Sequence, residues 1–238
     1  MKKIFLITLT LFLLTGCKKN TNELVLVTEA GFAPYEYYEN GEIVGVDIDI
    51  ANEIATALGK KLVVKDIAFD SIVNELKSGK ADFAAAGMSI TPERLKEVDF
   101  SIEYTTSRQV VIVNKNSKIT NIKDIYDKKV AVQLGSVADL YFSEDYPQTD
   151  LVRQKKYLTM AEDLKANKLD LIVMDELPAK KIVANNSELK ILDGYVFEDS
   201  YGIAVQKGNE ELLKQINEVL QRLMNENKIE EYIINHSN

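Results

Sequence analysis

Short apolar runs alternate with amphipathic stretches from residue 22 onward, and this alternation limits the fold more than any other feature. Residues 24–28 and 61–66 have the apolar, β-branched character of strands, whereas residues 47–58 place their apolar side chains on one face of a helix. Further apolar strands follow at 109–114 and 169–174. Because strands and helices take turns, we predict an α/β fold in which mostly parallel sheets are flanked by helices.

An internal repeat divides this pattern in two. Residues 75–82 and 163–170 align without a gap. Each segment contains a helix end, a residue that can adopt a left-handed conformation (Gly79 or Asn167), and the entry to an apolar strand. We therefore predict two similar lobes, each presenting the carboxyl end of a strand at an equivalent place. A ligand site is expected in the crevice beyond those strand ends.

The first residues have the layout of a secretory signal. Two lysines precede an apolar run over residues 4–14, which is too short to cross a bilayer as a helix. Small residues then precede Cys17, the only cysteine, and resemble the lipobox of bacterial lipoproteins. We predict a signal peptide over residues 1–16, lipidation of Cys17 and a polar tether over residues 17–22. The alternative is an ordinary signal peptide with an incidental cysteine.

Charge and motif content exclude several classes of function. The formal net charge of −8 argues against a basic face for nucleic acid. The chain has no phosphate-loop, dinucleotide-turn, nucleophile-elbow or zinc-protease motif. The only histidine, His236, is expected to lie in a frayed tail. We therefore expect no histidine-based catalysis, no metal site and no cofactor.

The most specific signal is the segment over residues 84–94. Its small residues lead to a strand end, where a ligand could approach the backbone closely. Thr91-Pro92-Glu93 supplies the capping hydroxyl, the proline and the acid of a helix start, so Arg94 falls in the first helical turn. A guanidinium there fits a carboxylate through two parallel hydrogen bonds, although an arginine on a helix is more often solvated.

Six motifs resemble, in order and in spacing, the extracellular solute-binding proteins of polar amino acid ABC importers. They are Phe32-Ala33-Pro34-Tyr35, Gly45-Val46-Asp47-Ile48-Asp49, Gly87-Met88-Ser89-Ile90-Thr91-Pro92-Glu93-Arg94, Val98-Asp99-Phe100-Ser101, Gln133-Leu134-Gly135-Ser136 and Tyr201-Gly202-Ile203-Ala204-Val205. The resemblance implies a two-lobed, periplasmic-binding-protein-like fold with two crossing hinge segments. The implied boundaries are 23–104 plus 202–238 for lobe 1, 105–201 for lobe 2, and hinges near 104–108 and 197–201.

The resemblance also implies the partners. They are a small amino acid ligand, an ABC transporter permease and the membrane, which the lipid anchor reaches from the extracytoplasmic face. The chain is expected to act as a monomer, without nucleic acid and without enzyme activity.

Roles for the α-groups of the ligand follow from the same resemblance. Arg94 is expected to clamp the α-carboxylate with help from Ser89 and from backbone amides around Ser136. Asp175 is expected to take the α-ammonium together with the carbonyl of Gly87. Opposite charges at the two ends suit a zwitterion, and closure of the lobes would desolvate both pairs at once.

The side chain of the ligand is expected to meet aromatic rings and an acid. The resemblance places Phe32 and Phe69 around it, Glu29 at its far end and Tyr201 as a further contact. Each residue has an alternative role, namely loop packing for Phe32, a staple to Val73 for Phe69, a solvent-facing position for Glu29 and a hinge position for Tyr201. Aromatic faces and an acid favour arginine, lysine or another cationic amino acid, with glutamine and cystine as alternatives.

Two competing functions remain open from the sequence. Some members of this fold are exported dehydratases, in which Glu29 or Asp175 would need a raised pKa to act as an acid. The sensory module of a receptor or channel is the other alternative. We favour a binding protein over the dehydratase because Asp175 is already needed for an ammonium group. We favour it over the sensory module because no transmembrane helix is expected after the lobes.

Overall fold

The computed structural model describes residues 22–237. The predicted signal peptide, Cys17 and most of the tether lie outside the described residues. None of the helices between residues 22 and 237 combines the length and the apolar character that crossing a bilayer requires.

Thirteen strands are described. They are β1 (Glu23–Thr28), β2 (Tyr37–Glu39), β3 (Glu42–Val44), β4 (Lys61–Asp66), β5 (Phe83–Ala84), β6 (Val98–Phe100), β7 (Thr105–Asn114), β8 (Lys129–Gln133), β9 (Asp150–Gln154), β10 (Leu171–Asp175), β11 (Leu189–Ile191), β12 (Phe197–Tyr201) and β13 (Ala204–Gln206).

Eight α-helices lie between these strands. They are α1 (Val46–Ala57), α2 (Ile72–Lys77), α3 (Pro92–Glu97), α4 (Val137–Asp145), α5 (Tyr157–Lys165), α6 (Glu176–Ala184), α7 (Glu210–Asn225) and α8 (Lys228–Ser237). Short 3-10 turns occur at Phe69–Ser71 and Ile122–Asp124. The alternation of strands and helices confirms the predicted α/β class.

The strands form two main sheets of mixed direction. The first has the order β4-β1-β5-β13-β6, in which β1 runs parallel to β4 and β5 while β13 runs antiparallel to β5 and β6. The second has the order β11-β7-β10-β8-β9, with β12 on β7. There β8 is parallel to β9 and β10, and β7 is antiparallel to β10, β11 and β12.

The prediction of mostly parallel sheets therefore needs correction. Helical crossovers return the chain in the same direction and give the parallel pairs. The antiparallel pairs involve β7 and β13, the strands that begin where the chain passes from one sheet to the other, so no helical crossover sets their direction.

The two passages between the sheets lie side by side. The chain leaves the first sheet after Phe100 and returns to it at Ala204. Between them, the start of β7 pairs with β12 in antiparallel register, from Thr105 opposite Tyr201 to Gln109 opposite Phe197. The predicted hinge segments thus form one two-stranded ribbon, although the division into lobes at the stated boundaries stays a prediction.

The internal repeat is confirmed at its turns. Gly79 and Asn167 both have positive φ, of 67° and 55°, after helices α2 and α5. The carboxylates of the aspartates that follow accept equivalent backbone hydrogen bonds of 2.8 Å, Asp82 from Val25 and Asp170 from Lys129. Each aspartate thereby fixes the turn to a neighbouring strand of its own sheet.

His236 is not a frayed tail residue. It lies in α8, where Nε2 contacts Asp49 Oδ2 at 2.8 Å and Nδ1 contacts the hydroxyl of Tyr37 at 3.1 Å. These contacts hold the last helix against α1 and the β2–β3 hairpin, so the chain end is part of the first sheet's flank.

Candidate ligand-binding site

A narrow cavity of about 10 Å³ lies between the two sheets, beyond the carboxyl ends of their strands. Its lining comprises Glu29, Phe32, Glu36, Phe69, Ala86, Gly87, Ser89, Gln133, Ser136, Val137, Tyr157 and Asp175. Strands β1, β5, β8 and β10 lead directly to this lining. The crevice predicted beyond the strand ends is thus present, and it brings together seven of the nine predicted site residues. The other two, Arg94 and Tyr201, contact the lining from behind.

Glu29 is a buried carboxylate held from the opposite sheet. It follows β1 and is only 1% exposed, so the solvent-facing alternative is wrong. Gln133 Nε2, at the end of β8, donates to Glu29 Oε2 at 3.2 Å. Lys156 forms an ion pair with Glu29 Oε1. Gln133 belongs to the second sheet, and Lys156 precedes α5, which packs on that sheet, so Glu29 ties the two sides of the cavity together.

Glu36 is a second buried acid, which the sequence analysis did not identify. The loop after Phe32 folds back so that the Phe32 amide donates to the Glu36 carbonyl at 2.8 Å. The side chain is 1% exposed, and its Oε2 has no hydrogen-bond partner among the described residues. Burial, followed by the charges of Asp47 and Glu29, raises the pKa of Glu36 well above its ordinary value. The sequence feature that could have pointed to Glu36 is its position directly after the motif Phe32-Ala33-Pro34-Tyr35.

Arg94 lies in the first turn of α3, as predicted. The Thr91 hydroxyl caps the helix by accepting from the Arg94 amide at 3.2 Å. The guanidinium is buried rather than solvated and donates to the carbonyls of Ser89 at 2.6 Å and Gly135 at 3.0 Å. It also lies 5.3 Å from the ring centre of Phe69. Burial lowers the pKa of Arg94 to about 10, so it keeps its charge at neutral pH.

Ser89 links the segment before α3 to strand β12. Its hydroxyl donates to Asp199 in β12, and its backbone bridges to Tyr201. Burial raises the pKa of Asp199 to about 7, with the charge of Asp175 as the next cause. No sequence motif pointed to Asp199, because it belongs to a strand that reaches Ser89 only in the folded chain.

Asp175 ends β10 and faces the cavity from the second sheet. The Tyr201 hydroxyl donates to its Oδ1. Burial raises the pKa of Asp175, whereas the hydrogen bond from Tyr201 opposes that shift. Tyr201 itself is fully buried and packs edge-on against Tyr35 at 5.1 Å. Tyr201 thus orients the acid from the hinge ribbon and does not line the cavity, as its alternative role anticipated.

Gly87 supplies close backbone approach at the end of β5. Its φ is 51°, and a Cβ placed there would lie 2.5 Å from Cε1 of Phe32. Its amide donates to the buried Asp47 Oδ2 at 2.8 Å. Any other residue would displace the Phe32 ring and strain the backbone, so glycine is required at this position.

Aromatic rings line the cavity from both sheets. The ring of Phe32 stacks on Tyr157 at 5.7 Å, and Phe69 lines the cavity on the same side as Arg94. Tyr157, the first residue of α5, was not identified from the sequence because no motif contained it. Ser136 caps α4 by accepting from the Asp139 amide at 3.2 Å. The residues that would contact a ligand directly stay a prediction.

Comparison with known proteins identifies the family. Residues 24–236 match the model of the bacterial extracellular solute-binding proteins, family 3. The arginine-binding extracellular protein ArtP of Bacillus subtilis is 30% identical over 91% of this chain and 86% of its own length. The glutamine-binding ABC transporter protein GlnH of the same organism is 32% identical over 81% of this chain and 72% of its own.

A solved structure shows the same fold. It is the amino acid ABC transporter substrate-binding protein AbpA of Streptococcus pneumoniae bound to L-arginine. Its TM-score is 0.86 at 34% identity, and the match covers 91% of this chain and 94% of that chain. The two mixed sheets with a cavity between them are therefore those of the periplasmic-binding-protein fold. On the family match and on this fold, the chain belongs to the bacterial extracellular solute-binding proteins of family 3.

Proposed function

We propose that this protein binds a free cationic amino acid, with arginine favoured, and delivers it to an ABC transporter permease. Lobe 1 would comprise residues 23–104 and 202–238, and lobe 2 residues 105–201. The ligand would shift an equilibrium between open and closed lobes toward the closed form, because only there do both sheets contact it.

The acidic side chains of the cavity lining are the observation that carries this proposal. Its lining contributes three carboxyl groups, from Glu29, Glu36 and Asp175, and the other lining residues are uncharged. A free amino acid with a cationic side chain brings two positive groups and one negative group. Asp175 would bind the α-ammonium, and Glu29 with Glu36 would bind the side chain. Stacked Phe32 and Tyr157 would add cation–π attraction.

The α-carboxylate would bind at the end of the cavity formed by Ser89 and Phe69, the two lining residues that Arg94 contacts. A guanidinium has five N–H donors, and two of those of Arg94 reach the carbonyls of Ser89 and Gly135. The remaining donors are available for a carboxylate. The amides around Ser136, at the start of α4, would complete that end of the site, together with the Ser89 hydroxyl once it turns from Asp199 to the ligand. The Gly87 carbonyl would assist Asp175.

The proposed localisation of the protein in the cell follows from its first residues. We propose that residues 1–16 are a cleaved signal peptide and that Cys17 carries the lipid that holds a monomeric protein at the extracytoplasmic face of the cell membrane. The arginine-binding relatives support the ligand choice. Function as a binder and not as an enzyme agrees with the solute-binding description of the family.

A neutral polar amino acid, such as glutamine, is the second candidate. The ion pair between Lys156 and Glu29 favours it, because a carboxylate that is already neutralised attracts a cation less strongly. This candidate uses the same α-group contacts and differs only at the far end of the site.

A thermal-shift screen of residues 18–238 against all free amino acids, ornithine, citrulline and cystine tests the proposal. A ligand at 100 times its dissociation constant adds about 2.7 kcal/mol to the free energy of unfolding, which raises Tm by several degrees. A rise with arginine or lysine alone is expected. A rise with glutamine or cystine alone would select the second candidate, and no rise with any amino acid would refute amino acid binding.

A further inference from the structure

We infer that Lys156 is a specificity-determining residue, which competes with the cationic side chain of a ligand for the carboxylate of Glu29. This inference rests on the proposed function and deepens it. Lys156 was absent from the predicted site, and it reaches the acid from outside the cavity lining.

The buried carboxylate of Glu29 requires a charged partner. The side chain is 2% exposed, and a buried carboxylate is costly unless it is paired and hydrogen-bonded. Gln133 supplies one hydrogen bond, at Oε2, but no charge. The other oxygen, Oε1, pairs with Lys156. One cation thus neutralises Glu29, and a ligand's cationic group would compete with Lys156 for the charge of that carboxylate.

The side chain of Lys156 can move away from Glu29 toward solvent. Lys156 caps the start of α5 on the second sheet, and its side chain is 46% exposed. A second acid, Asp66 at the end of β4, adds to the attraction that Lys156 experiences. Asp66 already holds the Ala30 amide at 2.9 Å and the Tyr38 hydroxyl at 3.1 Å, so it has a fixed position. Lys156 can therefore withdraw toward solvent and still have an anionic neighbour.

Glu29 can therefore pair with one of two cations, the side chain of the ligand or Lys156. A guanidinium or ammonium replaces Lys156, so the carboxylate remains paired with one cation. A neutral side chain leaves the Lys156–Glu29 pair intact. Lys156 therefore penalises cationic ligands, which must displace it, and tolerates neutral ones. The ratio of the affinity for a cationic ligand to the affinity for a neutral ligand therefore measures the contribution of Lys156 to specificity.

Titration calorimetry with L-arginine and its neutral isostere L-citrulline tests this inference on residues 18–238. In Lys156→Gln, arginine should bind more tightly, and the ratio of arginine affinity to citrulline affinity should rise about tenfold, the lower end of measured couplings between close charge pairs. Lys156→Arg retains a cation and should keep a ratio near that of the wild type. Lys155→Gln removes the same charge from the neighbouring exposed side chain and should leave the ratio unchanged within about twofold.

Three other results of this calorimetry would overturn the inference about Lys156. Equal weakening of both ligands in Lys156→Gln would make the ion pair a simple latch between the sheets and overturn the inference. An unchanged ratio, in a wild-type protein that binds arginine, would overturn the inference alone. Binding of no amino acid by the wild type would overturn the proposed function and the inference together.

Discussion

Replacement of Arg94 by alanine should reduce affinity for every α-amino acid by at least a hundredfold. The guanidinium is buried, donates to two carbonyls from different sheets and lies over Phe69. Hydrogen bonds to charged groups contribute about 1.5–3 kcal/mol each. Loss of two such bonds to the α-carboxylate costs about 3–6 kcal/mol, which corresponds to about 10²–10⁴ in affinity. The same replacement leaves the carbonyls of Ser89 and Gly135 without this donor, so some folding stability is lost too.

Two measurements separate binding from folding. Calorimetry with arginine and with citrulline gives the affinities, and thermal denaturation without ligand gives the change in stability. Lys96→Ala removes a positive charge from an exposed position of the same helix and should bind as the wild type does. Arg94→Lys keeps the charge but loses the fork and should remain well below the wild type. A folded Arg94→Ala protein with affinity within threefold of the wild type would refute the clamp.

Three further predictions concern the buried acids. Glu29→Gln should lower affinity for arginine at least tenfold and leave citrulline nearly unchanged, as measured by calorimetry; equal losses would argue against a selectivity role. Asp175→Asn should weaken both ligands by about tenfold or more in the same assay, because both carry the α-ammonium, and a loss confined to one ligand would contradict its role. Burial raises the pKa of Asp47 from 3.8 to about 6, so its contribution to stability is fully present below about pH 4 and is lost as pH rises through 6. Without ligand, Tm should therefore fall between about pH 4 and 6, less steeply in Asp47→Asn, and a Tm that rises over this range would contradict the assignment.

The sequence predicted those parts of the fold that depend on local pattern. The capped start of α3 at Thr91 and the left-handed turns at Gly79 and Asn167 were found because each needs particular residue types at adjacent positions. Strand direction was predicted less well, since it depends on where β7 and β13 enter their sheets, and no local pattern records that.

The residues of the candidate site also fall into two groups, those that a local sequence pattern predicted and those that it did not. Gly87 and Asp175 could be found because they stand at the ends of apolar strands, and strand ends meet at one edge. Glu29 was predicted only from the resemblance to the family. Lys156 could not be found from a motif, because it reaches the site from the start of α5. Glu36 directly follows a motif, but its burial depends on how the loop after Phe32 folds back. Contacts between the two sheets depend on how the sheets approach each other, which a single sequence does not report.

The paired hinge strands also bear on how such a protein could be rearranged. Because Thr105 lies opposite Tyr201, the segment 105–201 enters and leaves its sheet at one point. A segment with adjacent ends behaves as an insertion: its removal would leave a gap that a short connection could close, and a foreign segment of the same kind could take its place. The half of the site that carries Gln133, Lys156 and Asp175 could thus be exchanged between relatives as one piece, so a change of ligand need not require many separate substitutions.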